Sequence, residues 1–285
     1  MQNVMILTGA GHIGMAIARR MGHGMKIVIG DRNPANAQAI SKIMNDAGFD
    51  AVPVEMDLSS RASIQGILAE GQKYGPITML VNAAGVSPSQ APIEAILRVD
   101  LYGTAVLLEE VGKVIAPGGV GVTISSQSGH RMPALTPEED ELLACTPTEE
   151  LLGLELLRPD RIRDTLHAYQ LAKRCNVKRV MAQAVTWGAR GARINSISPG
   201  IIVTPPGHRR VQRAPGRFLQ EHVRPVPRRP AGHRRRGGQC GRAAHGPPGR
   251  LHHRGGLPYR RGSHRLLLLR PPEAGGASLS RPPRD

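Results

Sequence analysis

The chain has 285 residues, 40% of them hydrophobic, which is sufficient for the core of one large α/β domain. Its formal net charge of +16 lies entirely in residues 205–285, because residues 1–204 contain 19 basic and 19 acidic side chains. The three cysteines, Cys145, Cys175 and Cys240, have no paired spacing, so we expect a reduced, cytoplasmic protein. No apolar stretch approaches the roughly 20 residues of a membrane span, and the apolar start is too short for a secretory signal.

The first predicted element is an apolar strand, residues 4–7, which leads into a glycine turn and a helical pattern. The turn has the spacing GxGxxG, and in a strand–turn–helix context this spacing predicts a dinucleotide site. The first glycine allows the tight turn, the second lets the backbone approach the pyrophosphate, and the third lets helix and strand pack closely. The helix N-terminus then faces the phosphate charge. The expected contacts at this turn are Gly9, Gly11, His12, Ile13 and Gly14.

The second predicted strand, residues 26–29, is followed by Asp31, twenty residues after Gly11. An acidic side chain at this distance can accept hydrogen bonds from the adenosine ribose and would repel a 2′-phosphate. Asp31 therefore favours NAD as the cofactor. Arg32 could attract the phosphate instead, so NADP remains the alternative.

Tyr169 and Lys173, in the stretch YQLAK, stand four residues apart and would share one face of a helix. A nearby ammonium stabilises a phenolate, so the pair can act as a general base toward an alcohol if a hydride acceptor is close. The YxxxK spacing alone is weak evidence, because most such pairs lie on an ordinary helix surface. The dinucleotide motif earlier in the chain strengthens it.

Four further motifs follow the chain order. They are Asp57-Leu58 in VEMDLSS, Asn82-Ala83-Ala84-Gly85 after an apolar strand, Ser125-Ser126 at the end of GVTISS, and Pro199-Gly200 in ARINSISPGIIVT. Together with GxGxxG and YxxxK, they resemble the short-chain dehydrogenase/reductase family over residues 1 to about 204. Six motifs in one order are far more specific than any one of them.

The resemblance implies a Rossmann-type doubly wound parallel sheet, and an NAD(P)-dependent oxidoreductase that interconverts a secondary alcohol and a ketone. Tyr169 would exchange a proton with the substrate oxygen, Ser126 would hydrogen-bond that oxygen, and Lys173 would bind the nicotinamide ribose. The family also implies a homo-oligomer, and no metal ion is expected. The implied cofactor contacts beyond the glycine turn are Asp31, Arg32, Asp57, Leu58, Asn82, Ala83, Ala84, Gly85, Tyr169, Lys173, Pro199, Gly200, Ile202 and Thr204.

One departure from the family pattern is Asp100 in VDLYG, where the family usually has an asparagine that completes a proton relay. A carboxylate donates a hydrogen bond as an amide does only when it is protonated. Two interpretations remain open: a substitution that water bridges, and a defect in the relay. Asp100 is retained as a candidate catalytic residue.

A second departure is length, since Ser126 and Tyr169 lie 43 residues apart, far more than in the family. Residues 133–164 are predicted to form a helical insertion. Two capping boxes, each with proline at the first helical position, mark the starts of two short helices. The four capping residues are Thr136, Glu139, Thr146 and Glu149. The insertion is interpreted as a lid over the substrate pocket, with a surface decoration as the alternative.

Residues 205–285 differ in composition from the rest of the chain. Their 19 basic residues are all arginine, and Ile, Met, Thr, Asn and Lys are absent. Little apolar surface is available to offset the ordering entropy, so this tail is predicted to be disordered. One explanation is an arginine-rich tail, with RRGG at Arg235, that associates non-specifically with nucleic acid. The rest of the chain would then be a catalytically inactive dinucleotide fold.

The other explanation is a reading-frame shift near Pro205, because all five absent residue types have codons that begin with adenine. Plausible codons for residues 251–270, read from the second base, give FITGGDFLIDGGVTASYFYG, which resembles the family's closing strand. Residues 235–247 similarly give DEVGNVAALLMGP, which resembles the preceding helix. On this interpretation the sheet lacks its C-terminal strand, and activity and oligomerisation are impaired. Sequencing the gene around Pro205 tests it: a restored family frame would support the shift, and an unchanged frame with no in-frame ancestor would contradict it.

Overall fold

A computed structural model describes residues 1–202, all of which belong to one compact unit. Three predictions fall outside these described residues. They are the missing final strand, the disordered basic tail of residues 205–285, and the cofactor contact of Thr204.

A six-stranded parallel sheet forms the centre of the fold, with strand order β3-β2-β1-β4-β5-β6. The strands are β1 Val4–Thr8, β2 Lys26–Asp31, β3 Asp50–Glu55, β4 Ile77–Asn82, β5 Val120–Ile124 and β6 Arg193–Ile197. The order reverses between β1 and β4, and in such open sheets ligands bind at the carboxyl ends of the strands at this point. The prediction of a Rossmann-type doubly wound sheet is confirmed.

Both faces of the sheet are covered, because successive side chains of a strand point to opposite sides. In β1, Val4 and Ile6 belong to one apolar cluster and Met5 and Leu7 to another. All four side chains are fully buried. The near-continuous apolar run of this strand follows directly from burial on two faces.

The helices lie in two layers. They are α1 His12–Met21, α2 Pro34–Asp46, α3 Arg61–Gln72, α4 Ile93–Ile96, α5 Thr104–Val114, α6 Pro137–Cys145 and α7 Thr165–Ala189. Residues of α3, α5 and α7 join the cluster of Val4, and residues of α1 and α2 join the cluster of Met5. Between α4 and α5 the chain continues as a π-helical segment, Leu97–Gly103.

The insertion begins with α6, and the predicted capping box at its start is present. The Thr136 hydroxyl accepts from the Glu139 N–H, and the Glu139 carboxylate accepts from the Thr136 N–H. The second predicted capping box is wrong, because Thr146 ends α6: its N–H donates to the Leu142 carbonyl. The residues after Pro147 form a short 3₁₀ helix without a side-chain cap.

The insertion packs on the outer side of the helical layer. Leu143, Leu151 and Leu157 of the insertion share an apolar cluster with Leu101 and Leu171, which lie in the π-helical segment and in α7. Two cations of α7 complete the contact, since Asp140 of α6 forms ion pairs with Arg174 and Lys178. The insertion is thereby fixed to the helix that carries the tyrosine–lysine pair.

Candidate active site

The glycine turn between β1 and α1 leaves room for a ligand. Gly9 has a φ of +87°, and a Cβ there would lie 2.6 Å from the Ala84 backbone nitrogen. A Cβ at Gly14 would lie 2.7 Å from the Gly9 carbonyl oxygen. A Cβ at Gly11 would instead meet nothing within 4 Å. Gly11 also starts α1 without a side-chain cap, so backbone N–H groups at this helix end are available to an anion.

Asp31, at the end of β2, holds the glycine turn through its carboxylate. Oδ2 accepts from the Ala10 N–H at 2.9 Å and Oδ1 from the Asn33 N–H at 2.9 Å. The Gly9 N–H donates to the Gly30 carbonyl at 2.7 Å. A cavity of about 320 Å³ lies here. Its lining includes the predicted adenosine-side residues Gly9, Gly11, Asp31, Arg32, Asp57, Leu58, Ala83, Ala84 and Gly85.

Asn82 differs from the other residues of its motif, because it lines neither this cavity nor the one beside Tyr169. Its side chain is buried; Oδ1 accepts from the Thr8 hydroxyl at 2.8 Å, and Nδ2 donates to the Thr104 hydroxyl at 3.4 Å. Asn82 thus ties β4 to β1 and α5. The prediction that it contacts the cofactor is replaced by a supporting role for the loop that follows it.

The two serines that follow β5 have different environments. Ser125 is buried, and its hydroxyl donates to the Lys173 backbone carbonyl at 2.7 Å. The Ser126 hydroxyl accepts from the Ser128 N–H at 3.1 Å and lies in a cavity lining. Ser126 is therefore the serine that a substrate can reach, and Ser125 fastens this strand end to α7.

Tyr169 and Lys173 lie one turn apart on α7, which is 25 residues long and is capped by the Asp164 carboxylate. The Lys173 ammonium lies 5.3 Å from the centre of the Tyr169 ring. Both side chains line a second cavity of about 490 Å³. This cavity also contains Gly11, His12, Ile13, Gly14, Ser126, Pro199, Gly200 and Ile202.

The two cavities share the glycine turn and the segment Ala83–Val86, so they form one trough across the carboxyl ends of the strands. The structure brings every predicted site residue of the described chain to this trough except Asn82 and Asp100. None of the lining residues comes from the insertion of residues 133–164, which gives the lid interpretation no support.

Sequence reasoning did not identify Ser87 and Gln90, which line the cavity beside Tyr169. They lie in the loop after β4, and the Ser87 hydroxyl donates to the Gln90 side-chain carbonyl at 3.2 Å. Their position directly after the motif Ala83–Gly85 was the available signal. Side chains that follow a strand end at the sheet reversal are candidates to contact a ligand.

Asp100 lies behind the trough. Its side chain is fully buried, Oδ1 accepts from the Val86 N–H at 2.7 Å, and Oδ2 lies 3.3 Å from the Lys173 ammonium. Burial raises the pKa of Asp100, whereas the Lys173 charge and the Val86 N–H act in the opposite direction. Asp100 therefore reaches the trough only through Lys173.

Residues 1–202 fit a dinucleotide cofactor. The free space beside Gly11, the uncapped start of α1 and the trough past Asp31 together suit a pyrophosphate, an adenosine and a nicotinamide. In the same part of the chain, no group of three or more His, Cys, Asp or Glu side chains is arranged to hold a metal ion. No helix of the described residues is long and apolar enough to cross a membrane.

The fold and trough define a dinucleotide-binding oxidoreductase, and comparisons identify its family. The short chain dehydrogenase family model matches residues 2–137. Over 205 residues the chain is 39% identical to the short-chain dehydrogenase/reductase bsc3 of Alternaria brassicicola, which covers 72% of this chain and 74% of that protein. It is also 28% identical to the D-threitol dehydrogenase of Mycolicibacterium smegmatis, with 72% of each chain covered.

Solved structures share the fold. A short-chain dehydrogenase/reductase from Burkholderia xenovorans has a TM-score of 0.58 at 23% identity and covers 77% of this chain and 79% of its own. A 3-ketoacyl-ACP reductase from Sinorhizobium meliloti has a TM-score of 0.54 at 22% identity, with 70% and 73% covered. The chain belongs to the short-chain dehydrogenase/reductase family and is an oxidoreductase, so the predicted family is confirmed.

Proposed function

We propose that this protein uses NAD(H) to interconvert a secondary alcohol and a ketone in the trough between the glycine turn and α7. One observation carries the proposal: Gly11, Ser126, Tyr169 and Lys173 line a single cavity. A dinucleotide site and a proton-transfer site therefore adjoin each other, which is what hydride transfer to or from a carbon–oxygen bond requires. The dehydrogenase and reductase names of the relatives support this class of reaction.

Each side chain has a role that follows from its chemistry. A bound nicotinamide supplies or accepts the hydride. The Tyr169 hydroxyl donates a proton to the carbonyl oxygen in reduction and accepts one from the alcohol in oxidation. The Ser126 hydroxyl orients the same oxygen by a hydrogen bond. The Lys173 ammonium binds the nicotinamide ribose and stabilises the phenolate of Tyr169.

The choice of NAD over NADP rests on Asp31. Its carboxylate is fixed by two backbone N–H groups and lines the adenosine-side cavity, so a 2′-phosphate there would meet a negative charge. Arg32 lines the same cavity and is the feature that favours NADP. Cys145 and Cys175 are both free, which supports the expected cytoplasmic location.

Calorimetric titration of the purified full chain with NADH and with NADPH tests the proposal. We expect NADH to bind more tightly, and we expect a panel of secondary alcohols to include one that is oxidised. A chain that is folded by circular dichroism but binds neither nucleotide would contradict the proposed function. The same panel with bound NADH and ketones gives the reverse reaction.

A further inference from the structure

Asp100 and Lys173 form an ion pair that is unusual within residues 1–202, because both of its side chains are nearly removed from solvent. They are 0% and 6% exposed, and Oδ2 and Nζ are 3.3 Å apart. Every other ion pair printed for the described residues has at least one side chain more than 10% exposed. Burying two charges is costly unless they compensate each other.

The position of the carboxylate is fixed from three sides. Oδ1 is held by the Val86 N–H at 2.7 Å, and a Cβ at Gly85 would lie only 2.9 Å from the same oxygen. Oδ2 is buried without a hydrogen-bond partner among the described residues, so the Lys173 ammonium is the charge that it faces. The π-helical segment presents Asp100 at this point, and such segments often occur at functional sites.

The ammonium of Lys173 therefore acts on two groups. It lies 5.3 Å from the centre of the Tyr169 ring, where a positive charge favours the phenolate. It also lies 3.3 Å from the Asp100 carboxylate, which offsets that charge. In a buried environment such opposing charges act over several ångströms with little screening.

Few other charged groups face this pair. His12 lines the same cavity from α1 and is the titratable side chain on that wall. Neighbouring cations of α7, Arg174 and Lys178, are paired with Asp140 of the insertion. His130, after β5, is exposed and bonded to the Ser198 hydroxyl at 3.0 Å.

We propose that Asp100 is a positioning residue that acts through Lys173: it offsets the ammonium charge, keeps Tyr169 in its proton-donating form, and biases the site toward carbonyl reduction. The proposal rests on the proposed function and adds a preferred direction to it. In that direction the carbonyl carbon receives hydride from the reduced nicotinamide, which is oxidised. The carbonyl oxygen receives the Tyr169 proton as the carbon–oxygen double bond becomes single, and solvent then reprotonates the phenolate.

The substitution Asp100→Asn tests this, because the amide has the same shape and its oxygen can still accept from the Val86 N–H. Removal of the negative charge should move the midpoint of the pH–rate profile for alcohol oxidation to lower pH by about one unit, a tenfold change in proton concentration. Oxidation at neutral pH should rise several-fold relative to reduction. Asp100→Ser, which also lacks the charge, should shift the midpoint in the same direction.

Glu94→Gln is the matched control. It removes one negative charge from α4, on a side chain that is 79% exposed and paired with Arg98, so the midpoint should stay where it is in the parent chain. His12→Asn removes the other titratable group of the cavity. If that variant, rather than Asp100→Asn, moves the midpoint, the proposal is overturned.

An active, folded Asp100→Asn protein with an unchanged midpoint would also overturn the proposal, since the carboxyl would then carry no charge that Tyr169 senses. If no variant or parent turns over substrate, the ultraviolet absorbance of tyrosinate, taken as the difference from Tyr169→Phe in each background, gives the same midpoint without activity. A shift supports the charge assignment and an unchanged value contradicts it. NADH titration of the same samples reports separately on the proposed function.

Discussion

The two ends of the trough are built in different ways. At the nucleotide end the contacts are largely backbone, with the Gly9 N–H on the Gly30 carbonyl and the Ala10 N–H on the Asp31 carboxylate. At the proton-transfer end the chemistry depends on single side chains, Tyr169 and Ser126. Backbone sites are sensitive to added atoms, whereas side-chain sites are sensitive to removed ones. The same enzyme should therefore respond in opposite ways to substitutions at its two ends.

The largest effect is expected at the proton-transfer end. Tyr169→Phe removes one hydroxyl and leaves the ring in contact with Lys173, so binding of NADH should be unchanged. Loss of a positioned general acid or base should lower kcat by about 100- to 10,000-fold. Steady-state kinetics with calorimetry of the same preparation measures both quantities. A variant with parental kcat would show that another group transfers the proton.

A substitution at the nucleotide end should instead damage binding and folding together. In Gly9→Ala the added Cβ would lie 2.6 Å from the Ala84 nitrogen, and the φ of +87° is unfavourable for alanine. We expect unfolding free energy to fall by about 1–3 kcal/mol, with NADH affinity reduced as well. Thermal and denaturant unfolding monitored by circular dichroism measures the stability.

Gly11→Ala provides the matched comparison, because its Cβ would meet nothing within 4 Å. Stability should be preserved while NADH binding weakens, since the methyl group would occupy the space expected for the pyrophosphate. If Gly11→Ala binds NADH as the parent does, the pyrophosphate does not lie against this turn.

The contrast also explains what the sequence could predict. Glycine spacing reports backbone geometry directly, so the turn between Gly9 and Gly14 and the sheet reversal beside it followed from the motif alone. Tyr169 and Lys173 were accessible for the same reason, because a spacing of four places two side chains on one helix face. The strand predictions ended one or two residues short, since polar ends such as Thr8 and Asp31 continue the backbone pairing.

Long-range contacts were less predictable. The ion pair of Asp100 and Lys173 joins residues 73 positions apart through a π-helical segment that no local pattern marks. The insertion was recognised from its capping box at Thr136, but its destination depended on apolar contacts with Leu101 and Leu171. Asn82 was misassigned because a motif residue that supports a loop resembles one that touches the ligand.

A smaller effect is expected from Asp31→Ala. The variant loses two backbone-to-carboxylate hydrogen bonds in the glycine turn and the expected acceptor for the ribose. We expect NADH affinity to fall about tenfold, which corresponds to about 1.4 kcal/mol. Discrimination against NADPH should weaken at the same time. Arg32→Ala is the companion variant: it should leave NADH binding unchanged, and a loss of NADPH binding there would assign the residue to the 2′-phosphate.

The smallest effect should come from Glu109 on α5, outside both ends of the trough. Burial would raise the pKa of Glu109, but hydrogen bonds from Thr148, Arg61 and Lys113 outweigh burial and lower this pKa from 4.5 to about 2. A carboxyl whose folded pKa lies below its unfolded value stabilises the fold above the unfolded pKa. That contribution is lost as the pH falls from about 4.5 to about 2.

Glu109→Gln should therefore lower the unfolding free energy at neutral pH by only about 1 kcal/mol, because the side chain is partly exposed to solvent. The difference from the parent should shrink as the pH falls through this window, and denaturant unfolding at several pH values measures it. NADH affinity and kcat should not change. A loss of either would mean that the charges holding the insertion to α5 also support the trough, and the two ends could not then be treated as independent of the layer behind them.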